Sequence, residues 1–254
     1  MKKNAPRILS FNFILFLVSF VISFLLQSCL GSGNDARIKN KIKDEQEISA
    51  SVSSAVGQPI NSDDELLQAD SCGCPPEGDA KQKHVRELNK LKNRSDFPDA
   101  TDFNLSITLE KLLEPGEDAK RWSNSQAARI KGYVWNVKPG GMETVNCKAK
   151  DKKMRDAHIE LVLDPMNVDK RKIMVVEITP RIRSLMFKKG EDWTTSAIKS
   201  KFMGRWVEVE GWMMLDVEHT AQAENTNPGR PRNWRGTAWE IHPVTSMKVV
   251  SRYQ

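Results

Sequence analysis

The sequence predicts a mainly β protein built around one small closed barrel, and three observations lead there. Short apolar runs of alternating or β-branched character recur through residues 129–250, separated by Gly, Pro and Asn/Asp turn signals. A helix start, Thr179-Pro180, falls between the third and fourth of the main runs. All 7 tryptophans lie between Trp122 and Trp239, in the same part of the chain as these runs.

Residues 81–94 carry Val85, Leu88 and Leu91 on one stripe with no Pro or Gly, which predicts a helix stopped by Asp96-Phe97-Pro98. Thr108 is placed to cap a short helix through Leu112 and Leu113, ended by Pro115-Gly116. Both pieces are too small to bury a core alone and are expected to dock on the barrel domain. Residues 129–137 read as the first strand, closed by Pro139-Gly140-Gly141, and 143–147 as a short strand candidate. Residues 158–163 alternate, with His158 and Glu160 on one side and Ile159, Leu161 and Leu163 on the other. Residues 173–178 are a β-branched run. Thr179 and Pro180 then open a helix with Ile182, Leu185 and Met186 on its apolar stripe and Gly190 past its end. A further helical turn is expected at 195–202. Residues 206–215 are a strand with Val207 and Val209 inward, and 237–241 with 245–250 form the last, bent at Pro243. Three strands, a helix and two strands is the order of the OB-fold, a five-stranded Greek-key barrel. Such barrels bind on the face of strands two and three, between the loops joining strands one to two and four to five.

Composition sets the domain limits. The chain has 254 residues, 39 Lys+Arg against 33 Asp+Glu, and only 4 Cys. A mean hydropathy of −0.52 excludes a multi-span membrane protein. The first 29 residues hold three basic and no acidic side chains, so the net charge of +6 falls to +3 without them. The remainder is split: residues 30–118 carry 11 basic and 18 acidic side chains, net −7, and residues 119–254 carry 25 and 15, net +10. Four stretches result. Residues 1–28 are expected to be a lipoprotein signal peptide, 29–80 a flexible Ser/Asp/Gln-rich tether, 81–118 a short helical segment and 119–254 the barrel domain. In the tether, Cys72-Gly73-Cys74 is followed by two prolines. Pairing of one of these cysteines with Cys147, leaving one thiol over, is the expected bridge, and metal binding by the C-x-C pair is the alternative.

Lys2, Lys3 and Arg7 precede an apolar run over residues 8–26, and then comes Leu26-Gln27-Ser28-Cys29 before a Gly/Ser tether. This resembles the lipobox of bacterial lipoproteins, which implies lipid attachment at Cys29 and export to a membrane of a diderm bacterium, with the outer membrane expected. An uncleaved signal anchor is the other reading. The run Arg235-Gly236-Thr237-Ala238-Trp239-Glu240-Ile241-His242-Pro243-Val244-Thr245, together with Glu177-Ile178-Thr179-Pro180-Arg181, Gly211-Trp212 and Glu224-Asn225-Thr226-Asn227-Pro228-Gly229, resembles the signature of a group of bacterial exported proteins. The resemblance covers about residues 81–254 and implies a shared domain with no established activity.

Two chemistries fit such a barrel. The first is binding of an anionic or glycan ligand of the envelope, or of a protein partner. The first long loop offers Lys150, Lys152, Lys153 and Arg155, with Lys138 and Lys148 nearby. The loop before the last strand offers Arg230, Arg232, Trp234 and Arg235. Arginine presents paired donors to phosphate or carboxylate, and tryptophan a stacking plane. Export argues against nucleic acid as the ligand. The alternative is a divalent-metal hydrolase using His158, Glu160, His219 and His242, with Asp156 and Glu177 close in the pattern and zinc as the candidate ion. A solvated strand face shows the same alternation of polar residues. No G-x-S-x-G, P-loop or dinucleotide fingerprint occurs, and the tryptophans at 122, 135, 206, 212 and 239 are expected in the core.

Overall fold

The computed structural model describes residues 73–252, so Cys29, Cys72, the apolar leader and most of the tether lie outside the described residues. The first strand, β1 (Ala127–Pro139), is long enough to serve two partners. It pairs antiparallel with β4 (Trp206–Leu215) through residues 127–133 and with β2 (Ala157–Val162) through residues 133–139, bending at an irregularity between Val134 and Asn136. β2 pairs antiparallel with β3 (Met174–Ile178), β3 runs parallel to β5 (Trp239–Val249), and β5 closes antiparallel onto β4. The result is a closed barrel in the order β1-β2-β3-β5-β4, the OB-like architecture that the order of elements predicts.

Alternate residues fill the interior: Ile159 and Leu161 from β2, Val176 and Ile178 from β3, Val209 from β4 and Ile241 from β5, all buried in one cluster. Gly211 sits at the register shift of the β4–β5 ladder. A Cβ there would stand 2.2 Å from the Pro243 carbonyl oxygen and 2.6 Å from Ile241 Cγ2, so only glycine lets the strands approach this closely.

Two helices separate β3 from β4, where one was expected with a further turn after it. The first, α3 (Pro180–Lys188), is capped by Thr179, whose hydroxyl accepts from the Ile182 N–H. Gly190, at φ +83°, ends it, and Thr194 caps a second helix, α4 (Thr195–Phe202). Ile182, Met186, Ile198 and Phe202 all reach the core. The short strand expected at 143–147 is instead a 3-10 turn (Thr144–Asn146) followed by Cys147 at φ 48°. A closed barrel leaves that segment no free strand edge to pair with.

The upstream helices dock as predicted. In α1 (Lys83–Lys92), Val85 and Leu88 are buried; in α2 (Leu109–Leu113), Leu109 and Leu112 enter the barrel core, and the Thr108 hydroxyl accepts from the Lys111 N–H at 3.3 Å. Asp118 pins the start of β5: it accepts from the Thr237 hydroxyl at 2.7 Å and the Ala238 N–H at 2.9 Å.

The tether was expected to run to residue 80, but residues 73–80 are fixed to the domain. Cys74 is bonded to Cys147, with Cα atoms 5.8 Å apart. Asn89 and Asn93 of and beside α1 donate to the Glu77 and Pro76 carbonyls, and the Asp79 N–H donates to Thr144. These ties are polar and covalent, so an apolar pattern does not register them. Among the tryptophans, Trp239 and Trp212 are buried as expected, whereas Trp135 is 46% exposed. No helix of the described residues is long and apolar enough to cross a membrane.

Candidate functional site

The period of two that sends Ile159, Val176 and Ile241 inward sends His158, Glu160, Glu177, Glu240 and His242 to the outer face of β2, β3 and β5. Register aligns them: Lys138 pairs with His158, and His158 with Glu177, in one row across three strands. A solvated face was the plain alternative for this alternation, and burial rules it out. His158 is 8% exposed, Glu177 5%, Glu240 2% and His242 0%.

Three segments cover the face. The β1–β2 loop brings Glu143. From the last turn of α1, Lys92 reaches in and donates to Glu143 at 3.1 Å and Asp216 at 3.2 Å. The β4–β5 loop brings Asp216, His219, Trp234 and Arg235. Between them lies a cavity of about 240 Å³, lined by Lys92, Lys138, Gly140, Gly141, Glu143, His158, Glu177, Asp216, His219, Trp234, Arg235 and Glu240.

Trp234 forms a wall. Its ring lies 5.9 Å from that of His158 and 6.2 Å from that of His219, with the Arg235 guanidinium 4.8 Å and the Lys138 ammonium 5.9 Å from its centroid. Arg235 is buried and donates through Nη2 to Glu240. Its Nε and Nη1 find no hydrogen-bond partner among the described residues.

The electrostatics come from burial and pairing. Burial opposes the charges of Lys92 and Asp216, but their mutual attraction wins: the ammonium is held well above its usual value and the carboxyl well below. The hydrogen bond with Asp216 at 2.8 Å raises His219. His158 sits between Glu177 (2.6 Å) and Glu160 (3.4 Å), which outweigh its desolvation and raise it to about 9. Glu160 is lowered to about 2 by His158 and by Lys138, which donates to it at 2.6 Å. Burial pushes Asp156 up to about 7 against the pull of His242.

The residues proposed from sequence are dispersed. Trp234 and Arg235 line the cavity. Arg230 lines a separate groove of about 1110 Å³ together with Lys111, Lys170, Arg171 and Lys172. Lys150, Lys152 and Lys153 are exposed, and so is Arg232; none of them lines either cavity. Arg155 is half-buried and donates to the Ala149 and Lys150 carbonyls, so it braces its own loop. The two basic loops thus do not meet in one cavity. The four metal candidates do not converge as a set either. His158 and Glu160 pair with each other, His219 pairs with Asp216, and only His242 belongs to the one converging trio among the described residues, Asp156, Glu177 and His242. Lys92 and Glu143 had no signal in the pattern, because their role depends on where α1 and a turn dock. Compared with known proteins, the chain matches no family model and no curated protein.

Proposed function

We propose that this chain is a binding module whose ligand is an acidic glycan of the bacterial envelope, taken up in the cavity between the β1–β2 and β4–β5 loops. Trp234, with the Arg235 guanidinium 4.8 Å and the Lys138 ammonium 5.9 Å from its ring centroid, carries the reading. The positive charges of Arg235 and Lys138 beside that ring suit the acidic groups of such a ligand. Trp234 offers a sugar ring a flat apolar face. Asp216 and Glu240, already balanced by cations, offer acceptors to hydroxyls. At about 240 Å³ the cavity suits one ring-sized group and falls below the roughly 300–1,000 Å³ typical of drug-sized ligands. The lipobox resemblance adds a lipid on Cys29 and an address at the membrane, where such polymers are met.

The test is binding of the purified full chain to peptidoglycan fragments and lipopolysaccharide core oligosaccharides. Trp234→Ala should weaken binding at least tenfold, about 1.4 kcal/mol, and Lys138→Ala should weaken it less. Equal binding by wild type and Trp234→Ala would remove the cavity from the mechanism. Mass spectrometry of the mature N-terminus checks the lipid: an unmodified Cys29 would refute it.

A further inference from the structure

We infer that Asp156, Glu177 and His242 form a binding site for one divalent transition-metal ion, set behind the glycan cavity. One ligand atom from each lies within 4.8 Å of the others, and all three side chains are buried. Tetrahedral ligands at about 2.0–2.2 Å from one ion stand roughly 3.3–3.6 Å apart; His242 Nε2 and Asp156 Oδ2, at 3.8 Å, are already near that spacing, and the whole set closes with side-chain shifts of about 1 Å.

The side chains around the trio are arranged as a metal requires. His242 turns Nδ1 toward Glu240 Oε2 at 3.2 Å and Glu177 Oε2 at 3.5 Å. Its Nε2 then faces Asp156, whose Oδ2 is 3.8 Å away, beyond hydrogen-bonding range. Neither Nε2 of His242 nor Oδ1 of Asp156 has a hydrogen-bond partner among the described residues, although His242 is fully buried and Asp156 is 2% exposed. A carboxylate on one imidazole nitrogen with the other left bare is the arrangement that orients a metal-bound histidine. Glu177 is oriented in the same way, with Oε1 held by His158 Nδ1 at 2.6 Å.

One imidazole with two carboxylates selects zinc or manganese over calcium and magnesium, which favour oxygen-only shells. Glu177 alone of the three lines the cavity, so the site is separable from the glycan reading and stands without it.

The full chain, purified in detergent and stripped with a chelator, is dialysed against Zn²⁺ or Mn²⁺ and its metal content measured. One ion per chain is expected. Asp156→Asn and His242→Gln should each lower affinity at least a hundredfold with the circular dichroism unchanged, and Glu240→Gln about 10- to 100-fold through the orientation of His242. His84→Ala, an exposed histidine, should bind as wild type. Two measurements on wild type keep the test decisive if a variant fails to fold. Saturating ion should raise Tm, because the native state binds it. X-ray absorption should show nitrogen and oxygen ligands with one imidazole. Substoichiometric metal, no rise in Tm, a sulfur shell from the cysteines, or wild-type affinity in His242→Gln would each overturn the assignment. Loss of glycan binding with metal binding intact would instead strike only the cavity reading.

Discussion

His219 shows how a single side chain sets the response to pH. It is half-exposed, and its Nδ1 lies 2.8 Å from the Asp216 carboxylate, which also takes the Lys92 ammonium. Asp216 therefore holds His219 above its ordinary value, helped by Glu240 and opposed by burial and Arg235. A histidine with a raised folded pKa adds stability that is complete below about pH 6.5 and is lost as pH rises through the folded value. Asp216 acts in the opposite direction: its lowered pKa adds stability above about pH 3.9 that is lost on acidification. Tm should therefore decline as pH is raised above about 6.5, and in His219→Gln the decline should be shallower when both are followed by thermal melts. Parallel curves for the two proteins would remove His219 from the pH response. The sequence showed His219 close after Asp216, but spacing alone did not say that the carboxylate was already shared with Lys92, 124 residues away.

At the scale of elements, the strands and both upstream helices were legible because each advertises its own period. Residues 206–215 alternate, Thr179-Pro180 announces a helix, and Val85, Leu88 and Leu91 mark a stripe. The site was half legible. His158, Glu160 and Glu177 could be placed on one face, yet the same alternation describes a solvated strand, and only the covering segments decide between them. Part of that cover is α1 and a 3-10 turn, joined through contacts far apart in sequence. Asn89 donates to Thr144 at 3.1 Å, Asn93 to the Val145 carbonyl at 3.0 Å, and Lys92 to Glu143. Nothing in the local pattern around Lys92 distinguishes it from the solvated lysines at 81, 83 and 90. Its side chain is nevertheless 5% exposed and its ammonium faces an Asp216 side chain that is 1% exposed. Lys92→Ala leaves that carboxylate without its main counter-charge. The expected cost is about 3–5 kcal/mol by denaturant unfolding, as for breaking other buried pairs. Lys90→Ala, at an exposed i,i+3 pair, should cost at most about 0.5 kcal/mol. Similar costs for the two would show that Lys92 is not a buried partner.

For the whole molecule, the charge asymmetry of the chain resolves into architecture. The net +10 of residues 119–254 does not form one basic surface. Arg235 is neutralised by Glu240 and Arg155 is spent on carbonyls, while the exposed lysines of the β1–β2 loop line neither cavity. The covalent tie between Cys74 and Cys147 spans 73 residues. In the chain-entropy account, a closed loop of that length is worth about 4 kcal/mol. Cys147→Ser is accordingly expected to lose about 2–5 kcal/mol in chemical denaturation, and a reducing agent should match it on wild type but leave the variant unchanged. A variant as stable as wild type would show that the bridge contributes nothing. The bond also ties the segment ahead of α1 to the β1–β2 loop, one of the three segments that cover the cavity. With that bond reduced, the loop that carries Glu143 would rest on hydrogen bonds such as those from Asn89, Asn93 and Lys92, so the shape of the cavity becomes sensitive to the redox state of one cysteine pair.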